Sequence, residues 1–133
     1  MNTVYTAVVN GPAWPNTLLI INFDEWGGFF EHVSPPAGQV TAAEQALGYG
    51  DGLRGFRVPC IVISPWSQHQ IVTRTVFDHT SILKLIEWRF GLEPLTDRDA
   101  QANNLAEVLD FDNPRLDAPQ PAVVAGPYGR ECP

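Results

Sequence analysis

Thr17-Leu18-Leu19-Ile20-Ile21-Asn22-Phe23-Asp24-Glu25-Trp26-Gly27-Gly28-Phe29-Phe30-Glu31-His32-Val33-Ser34-Pro35-Pro36 is the stretch on which the fold turns. Its first seven residues are almost wholly apolar and rich in β-branched side chains. Such a run reads as a strand buried on both faces, the pattern of parallel sheets. It ends on two adjacent carboxylates, Asp24 and Glu25, followed by two glycines, an acid–His pair and a double proline. In open α/β sheets, chemistry gathers where strands end.

Working outward, Val4 to Val9 reads as a short strand or the tail of a helix, broken by Asn10-Gly11-Pro12. Gly27 to Gly55 is a long Gly- and Pro-containing connection of the kind that usually carries function. Thr41 to Leu47 can form a short helix within it. Val58 to Ser64 reads as a second buried strand closed by Pro65, and Ile71 to Phe77 as a further short strand or an ordered loop. Asp78 to Phe90 is the clearest helix, capped by Asp78 or Thr80 and stopped by Gly91 and Pro94. Ile82, Leu85, Ile86 and Phe90 are expected to face the sheet. Thr96 to Asp99 resembles a capping start for a second helix through Leu109. From Asn113 onward the chain is Pro-rich and expected to be extended. The order strand, loop, strand, helix implies an α/β fold, although only two strands read clearly.

The 133 residues correspond to one domain, and 44% hydrophobic against 17% charged residues is a globular composition. A net charge of −7 with eight scattered Lys and Arg residues excludes a phosphate-backbone binder, so no nucleic-acid partner is expected. No segment approaches the ~18 apolar residues of a membrane span. Met1 to Asn16 lacks the charged region and long apolar core of an export signal. The two cysteines, Cys60 and Cys132, have no zinc-type spacing. Cys60 is expected to be a small buried hydrophobe.

Asp24 and Glu25 are the first chemical candidates. Neighbouring residues on a strand point to opposite faces, so both reach one ion only if the strand is already opening into a loop. Gly27 and Gly28 permit that. Carboxylate oxygens suit a divalent cation, which polarises a phosphoryl oxygen or activates water; the competing reading is a solvated acidic turn. His32 is suited to stabilise an oxyanion, protonate a leaving group or bind metal, or else simply packs on the adjacent prolines. His79 lies in Asp78-His79-Thr80-Ser81 at a helix N-terminus, where an anion is favoured; plain capping explains the same residues. Ser64 has no nucleophile-elbow context and reads as structural. His69 reads as an exposed loop residue. Arg57 and Arg74 suit a phosphate or a surface ion pair. Trp26, next to the acid pair, is a candidate pocket wall. Use of Asp24 and Glu25 as a glycosidase pair is rejected, because adjacent residues do not flank a bond at separations of ~5–9 Å.

Taken together these residues resemble the bacterial phosphoesterase family that contains non-haemolytic phospholipases C and acid phosphatases. The matching stretches are Asn16 through Pro36, Gly55 through Trp66, Phe77 through Leu83, Ile86 through Leu92 and Thr96 through Ala100, in the right order. The resemblance spans Trp14 to Phe111. It implies an alkaline-phosphatase-like α/β/α sandwich and metal-dependent hydrolysis of phosphate esters, with a phospholipid among the possible substrates. By that resemblance Asp24 and Glu25 sit at the metal-binding acidic pair. His79 and His32 sit near the phosphate as catalytic residues. Glu31-His32 replaces the family's usual Asp-His, and Trp26 stands where His or Ser is common.

Family members are much longer, and their N-terminal half carries a Glu-Asn metal motif and the nucleophile region, neither of which is found here. The chain therefore reads as the C-terminal portion of a phosphoesterase, with a sheet edge exposed to self-association. The alternative is a non-catalytic ion-binding domain, or one completed by a partner. Parent enzymes of this kind are commonly exported.

Overall fold

The structure is a computed structural model that describes residues 1–48, 50–68 and 73–120. Helix α1 (Asn2–Val9) resolves the ambiguity at Val4 to Val9 in favour of helix. It leads through a 3₁₀ turn, Trp14–Asn16, into strand β1 (Leu19–Asn22). The long connection contains helix α2 (Ala42–Ala46), started by a reciprocal capping box between Thr41 and Glu44. The connection closes on itself: the Gly38 N–H donates to Gly52 O (2.7 Å) and the Arg54 N–H to Pro36 O (2.9 Å). Strand β2 (Cys60–Ile63) then returns to β1.

The two strands pair antiparallel, from Leu19 opposite Ile63 to Asn22 opposite Cys60. Together they form the two-stranded sheet of the described residues. The expected parallel strands, covered on both faces, are therefore corrected. Every residue of β1 is half-buried, and Cys60, expected inside, is exposed. The apolar run specifies a strand, but burial of its faces needs layers on both sides, and among the described residues that cover is partial. The mixed α/β class stands. His69 and the start of the expected Ile71–Phe77 element lie outside the described residues, as does Cys132.

Helix α3 (His79–Phe90) begins at Asp78, whose side chain accepts from the Thr80 N–H while Ser81 Oγ accepts from the Asp78 N–H. It ends at Gly91 in the left-handed conformation. Its buried residues are Ser81, Leu85 and Glu87. Ile86 and Phe90, expected to face a sheet, are exposed. The helix packs instead chiefly on helix α4 (Asp97–Ala100) and on a 3₁₀ turn, Leu105–Val108. The expected helix from Thr96 through Leu109 is broken in two because the Asn104 side chain caps the second turn at the Ala106 N–H.

The core is small. Tyr5, Val9 and Trp14 form a buried cluster, with Val8, Ile63 and Ala118 packed against it. Residues 114–120 have no regular structure, as the proline content implied, but they fold back over this cluster. Trp14 Nε1 donates to Leu116 O (2.9 Å), the Tyr5 hydroxyl to Pro119 O, and the Arg115 N–H to Pro65 O (2.7 Å).

Candidate functional site

β1 pairing continues one residue past the strand, with the Phe23 N–H donating to Pro59 O (3.1 Å). The chain then bends at Asp24 and Glu25, and both side chains stand in solvent. Among the described residues neither carboxylate has a hydrogen-bond or ion-pair partner. The strand thus ends before the acid pair and the backbone bends there, with both side chains exposed.

His79 arrives from the other side. Its Nε2 lies 3.1 Å from the Phe23 carbonyl. A carbonyl only accepts, so Nε2 carries the proton in this contact and Nδ1 is the free ring atom. The first residue of α3 is thereby tied to the residue preceding the acid pair. The helix start is held by Asp78, which accepts from the Thr80 N–H (2.9 Å), from Thr80 Oγ1 (2.6 Å) and from Arg54 Nε (2.6 Å). Burial pushes the Asp78 carboxyl up, but these hydrogen bonds outweigh it and leave the group below the usual carboxylate range. Capping, the plainer reading of Asp78 to Ser81, is what the structure shows at Asp78, while His79 reaches across to the Phe23 carbonyl.

His32 is not brought to that point by any contact. It is exposed, and its Nδ1 lies 3.6 Å from Glu31 Oε1. Glu31 is the better-held member of the pair. Its carboxylate takes two bonds from Arg57, Nε at 2.6 Å and Nη2 at 2.7 Å, and one from the Val33 N–H at 2.9 Å. The Arg57 hydrogen bonds, then the Val33 N–H, lower its pKa to about 2. Arg57 therefore serves an ion pair. Trp26 meets Phe56 edge-on, with ring centroids 5.2 Å apart at 77°. Ser64 is buried; its Oγ donates to Thr17 O (2.8 Å) and accepts from the Trp66 N–H (3.2 Å), which is structural use.

An ion pair at Arg57 was among the readings of the sequence, but its partner Glu31 was not, and the Trp26–Phe56 contact was not read at all.

Hard, unpaired carboxylates have the donor chemistry of a divalent-cation site. The set is short, however: among the described residues no three His, Cys, Asp or Glu side chains group to hold a metal. Asp24 and Glu25 fit as part of a coordination shell and do not complete one.

The profile of the Phosphoesterase family matches residues 1–93. The chain is 40% identical to "Phospholipase C B" of Mycobacterium tuberculosis, over 82% of this chain and 26% of that protein. It is likewise 40% identical to "Non-hemolytic phospholipase C" of Pseudomonas aeruginosa, over 79% of this chain and 18% of the relative. "Non-specific phospholipase C4" of Arabidopsis thaliana is 34% identical over 88% of this chain and 24% of its own length. The chain thus spans about a quarter or less of the relatives it matches. With the family profile covering well over half of its residues, the chain belongs to the Phosphoesterase family.

Proposed function

We propose that this chain supplies the metal-holding end of a hydrolase acting on phosphate esters, of the phospholipase C or phosphatase type. β1 and β2 would be two strands of an α/β/α sandwich, and the chain the C-terminal portion of that domain. Asp24 and Glu25 would provide two carboxylate ligands to a divalent ion, which when bound supplies Lewis-acid polarisation of the phosphoryl group. With its Nε2 proton committed to Phe23 O, His79 has Nδ1 left to take up or give a proton beside the phosphate. His32, exposed beside Glu31, has the freedom to assist.

One observation supports this reading above the others. The His79–Phe23 contact sets an imidazole beside a strand end that carries two free carboxylates. Ser64, the hydroxyl considered as a nucleophile, is occupied in structural hydrogen bonds. The attacking hydroxyl would come from another part of the domain, and metal, nucleophile and charge stabilisers act as a unit.

A second reading, a non-catalytic ion-binding domain, is favoured by the lack of a three-ligand group among the described residues. Two measurements on the purified chain separate them. The first is calorimetric titration with Mn²⁺ and Ca²⁺. The second is hydrolysis of p-nitrophenyl phosphate and p-nitrophenylphosphorylcholine with and without metal. Each is run beside Asp24→Ala/Glu25→Ala and His79→Asn. Metal binding lost in the acid-pair variant, with no turnover by the chain alone, is expected. Metal-dependent turnover lost in the variants would place the nucleophile within these residues and overturn the shared-site part. Metal binding indifferent to Asp24 and Glu25 would sink the assignment altogether.

A further inference from the structure

Arg54 stands where the long connection between β1 and β2 meets the start of α3. Its backbone helps to close the connection: the Arg54 N–H donates to Pro36 O (2.9 Å), beside the bond from the Gly38 N–H to Gly52 O (2.7 Å). Its side chain leaves that closure and crosses to the helix. Nη1 donates to Ala37 O, and Nε donates to Asp78 Oδ2 (2.6 Å). Both members of this ion pair are largely shielded from water, with 23% of the Arg54 and 18% of the Asp78 side chain exposed. The path of the guanidinium is closely fitted. A Cβ on Gly38 would come within 3.0 Å of Arg54 Cζ and 3.3 Å of Nε, so the group passes directly over the bare glycine. Across the closure Gly52 has φ +63°, and a Cβ there would meet Gly38 O at 2.9 Å.

Asp78 divides its carboxylate between two tasks. Oδ1 accepts from the Thr80 N–H and from Thr80 Oγ1 and so starts the helix, while Oδ2 accepts from Arg54. The next residue is His79, whose Nε2 lies 3.1 Å from Phe23 O. A charge-assisted bond is roughly twice as strong as a neutral one, and here it fixes the carboxylate against rotation. Hydrogen bonds weaken steeply when misaligned, so the His79–Phe23 contact depends on how the first turn of α3 is held. We propose that Arg54 is a positioning residue for His79. By joining the closed connection to the helix cap, it makes the presentation of the imidazole to β1 conditional on the closure of residues 36–54. The proposal rests on His79 being the imidazole that serves the phosphate, and it adds what holds that imidazole in place.

The carbonyl ¹³C shift of Phe23, measured by NMR on the whole labelled chain, reads the contact directly, because a carbonyl that loses its donor moves upfield. His79→Phe defines the unbonded position. In Arg54→Ala the signal is expected to move most of the way to it. Arg54→Lys, which returns a charged donor without the planar fork, should lie between. Gly52→Ala alters neither side chain of the ion pair, yet should move the signal in the same direction by straining the closure. Gly38→Val displaces the guanidinium without removing its charge, and tests the link if Arg54→Ala fails to fold. A Phe23 signal unmoved in folded Arg54→Ala or Gly38→Val, with only thermal stability lowered, would overturn the proposal, since Arg54 would then be merely structural. A signal unmoved in Gly52→Ala would overturn the dependence on the closure, and one unmoved in His79→Phe would remove the contact itself. Titration of the same chains with Mn²⁺ keeps this result apart from the hydrolytic reading. Absence of metal binding would remove that reading, while a moved Phe23 signal would still establish that Arg54 positions His79.

Discussion

Glu31 and Gly27 show how single residues shape the loop that carries the acid pair. Glu31 is held ionised by Arg57 and the Val33 N–H, with a pKa of about 2 against an ordinary 4.5. In Arg57→Ala the carboxyl should titrate higher, part of the way back towards 4.5 because the Val33 N–H remains, which a ¹³C NMR pH titration of the Glu31 carboxyl would read. Because the folded value is depressed, the pair stabilises the loop above the unfolded pKa. That support is lost as pH falls from about 4.5 towards 2. An unmoved titration would mean that the two side chains do not pair in solution. At Gly27 two penalties compete when a Cβ is added. The Phe29 ring is exposed and can swing away at little cost, whereas the φ of +79° is fixed by the chain. The backbone term therefore dominates, and Gly27→Ala should cost about 1–2 kcal/mol in a urea unfolding curve. A neutral result would show that the loop re-forms with negative φ.

Among the elements, α3 carries His79 to the Phe23 carbonyl. Its N-terminus depends on Asp78, which serves as cap and as the partner of Arg54. Asp78→Ala should lower stability by about 1–2 kcal/mol by thermal unfolding and weaken the hold on the Phe23 carbonyl. Asp78→Asn, which keeps a capping oxygen, should recover part of the loss. The other end of the helix holds a second device. Glu87 is only 7% exposed and Asp99 1%. Both Glu87 oxygens lack a hydrogen-bond donor, while Asp99 accepts from the N–H groups of Leu95 (2.6 Å) and Thr96 (2.9 Å).

Burial first, and the neighbouring Asp99 second, push the Glu87 carboxyl up, with Lys84 pulling weakly the other way. A proton on Glu87 provides the donor that this pair of carboxylates lacks. The folded state thus binds a proton that the unfolded chain releases at 4.5. Stability from this group is complete below that value and is lost as pH rises through the raised pKa. Urea midpoints measured upward from pH 4.5 should fall with pH in wild type and flatten in Glu87→Gln, whose amide donates at every pH. A slope that persists in Glu87→Gln would assign it to another group.

For the whole molecule, the balance of buried and exposed apolar surface decides behaviour. The Tyr5–Val9–Trp14 cluster is small, and a two-stranded sheet is marginal by itself. Ile61 on β2 and Leu83, Ile86, Trp88 and Phe90 on α3 remain exposed. Unpaired strand edges and exposed apolar patches seek partners. Concentration-dependent association in sedimentation velocity is therefore expected. Ile86→Lys/Phe90→Lys should shift the chain towards monomer without loss of helical circular dichroism. A monomer at every concentration would show that these faces are tolerated in water. Among the described residues no helix is long and apolar enough to cross a membrane.

Local chemistry is what the sequence by itself determined. The apolar run 17–23 reads as a strand, found over Leu19–Asn22 just before Asp24-Glu25, and Asp78 or Thr80 reads as the start of a helix that Gly91 stops. Each of these outcomes depends on neighbours within a few residues, on side-chain period and capping. The family resemblance of these blocks was likewise legible, since residue identity and order carry it. Only the tertiary structure decided that β1 and β2 run antiparallel, that Cys60 is exposed, and that α3 buries Glu87 while leaving Phe90 in solvent. It alone gave Glu31 to Arg57 and turned His79 onto the Phe23 carbonyl. These are pairings between residues 26 to 56 positions apart. A strand's apolar pattern is satisfied by either direction of its neighbour. Likewise, a charged side chain gives no sign in the sequence of which distant partner the folded chain will bring within 3 Å.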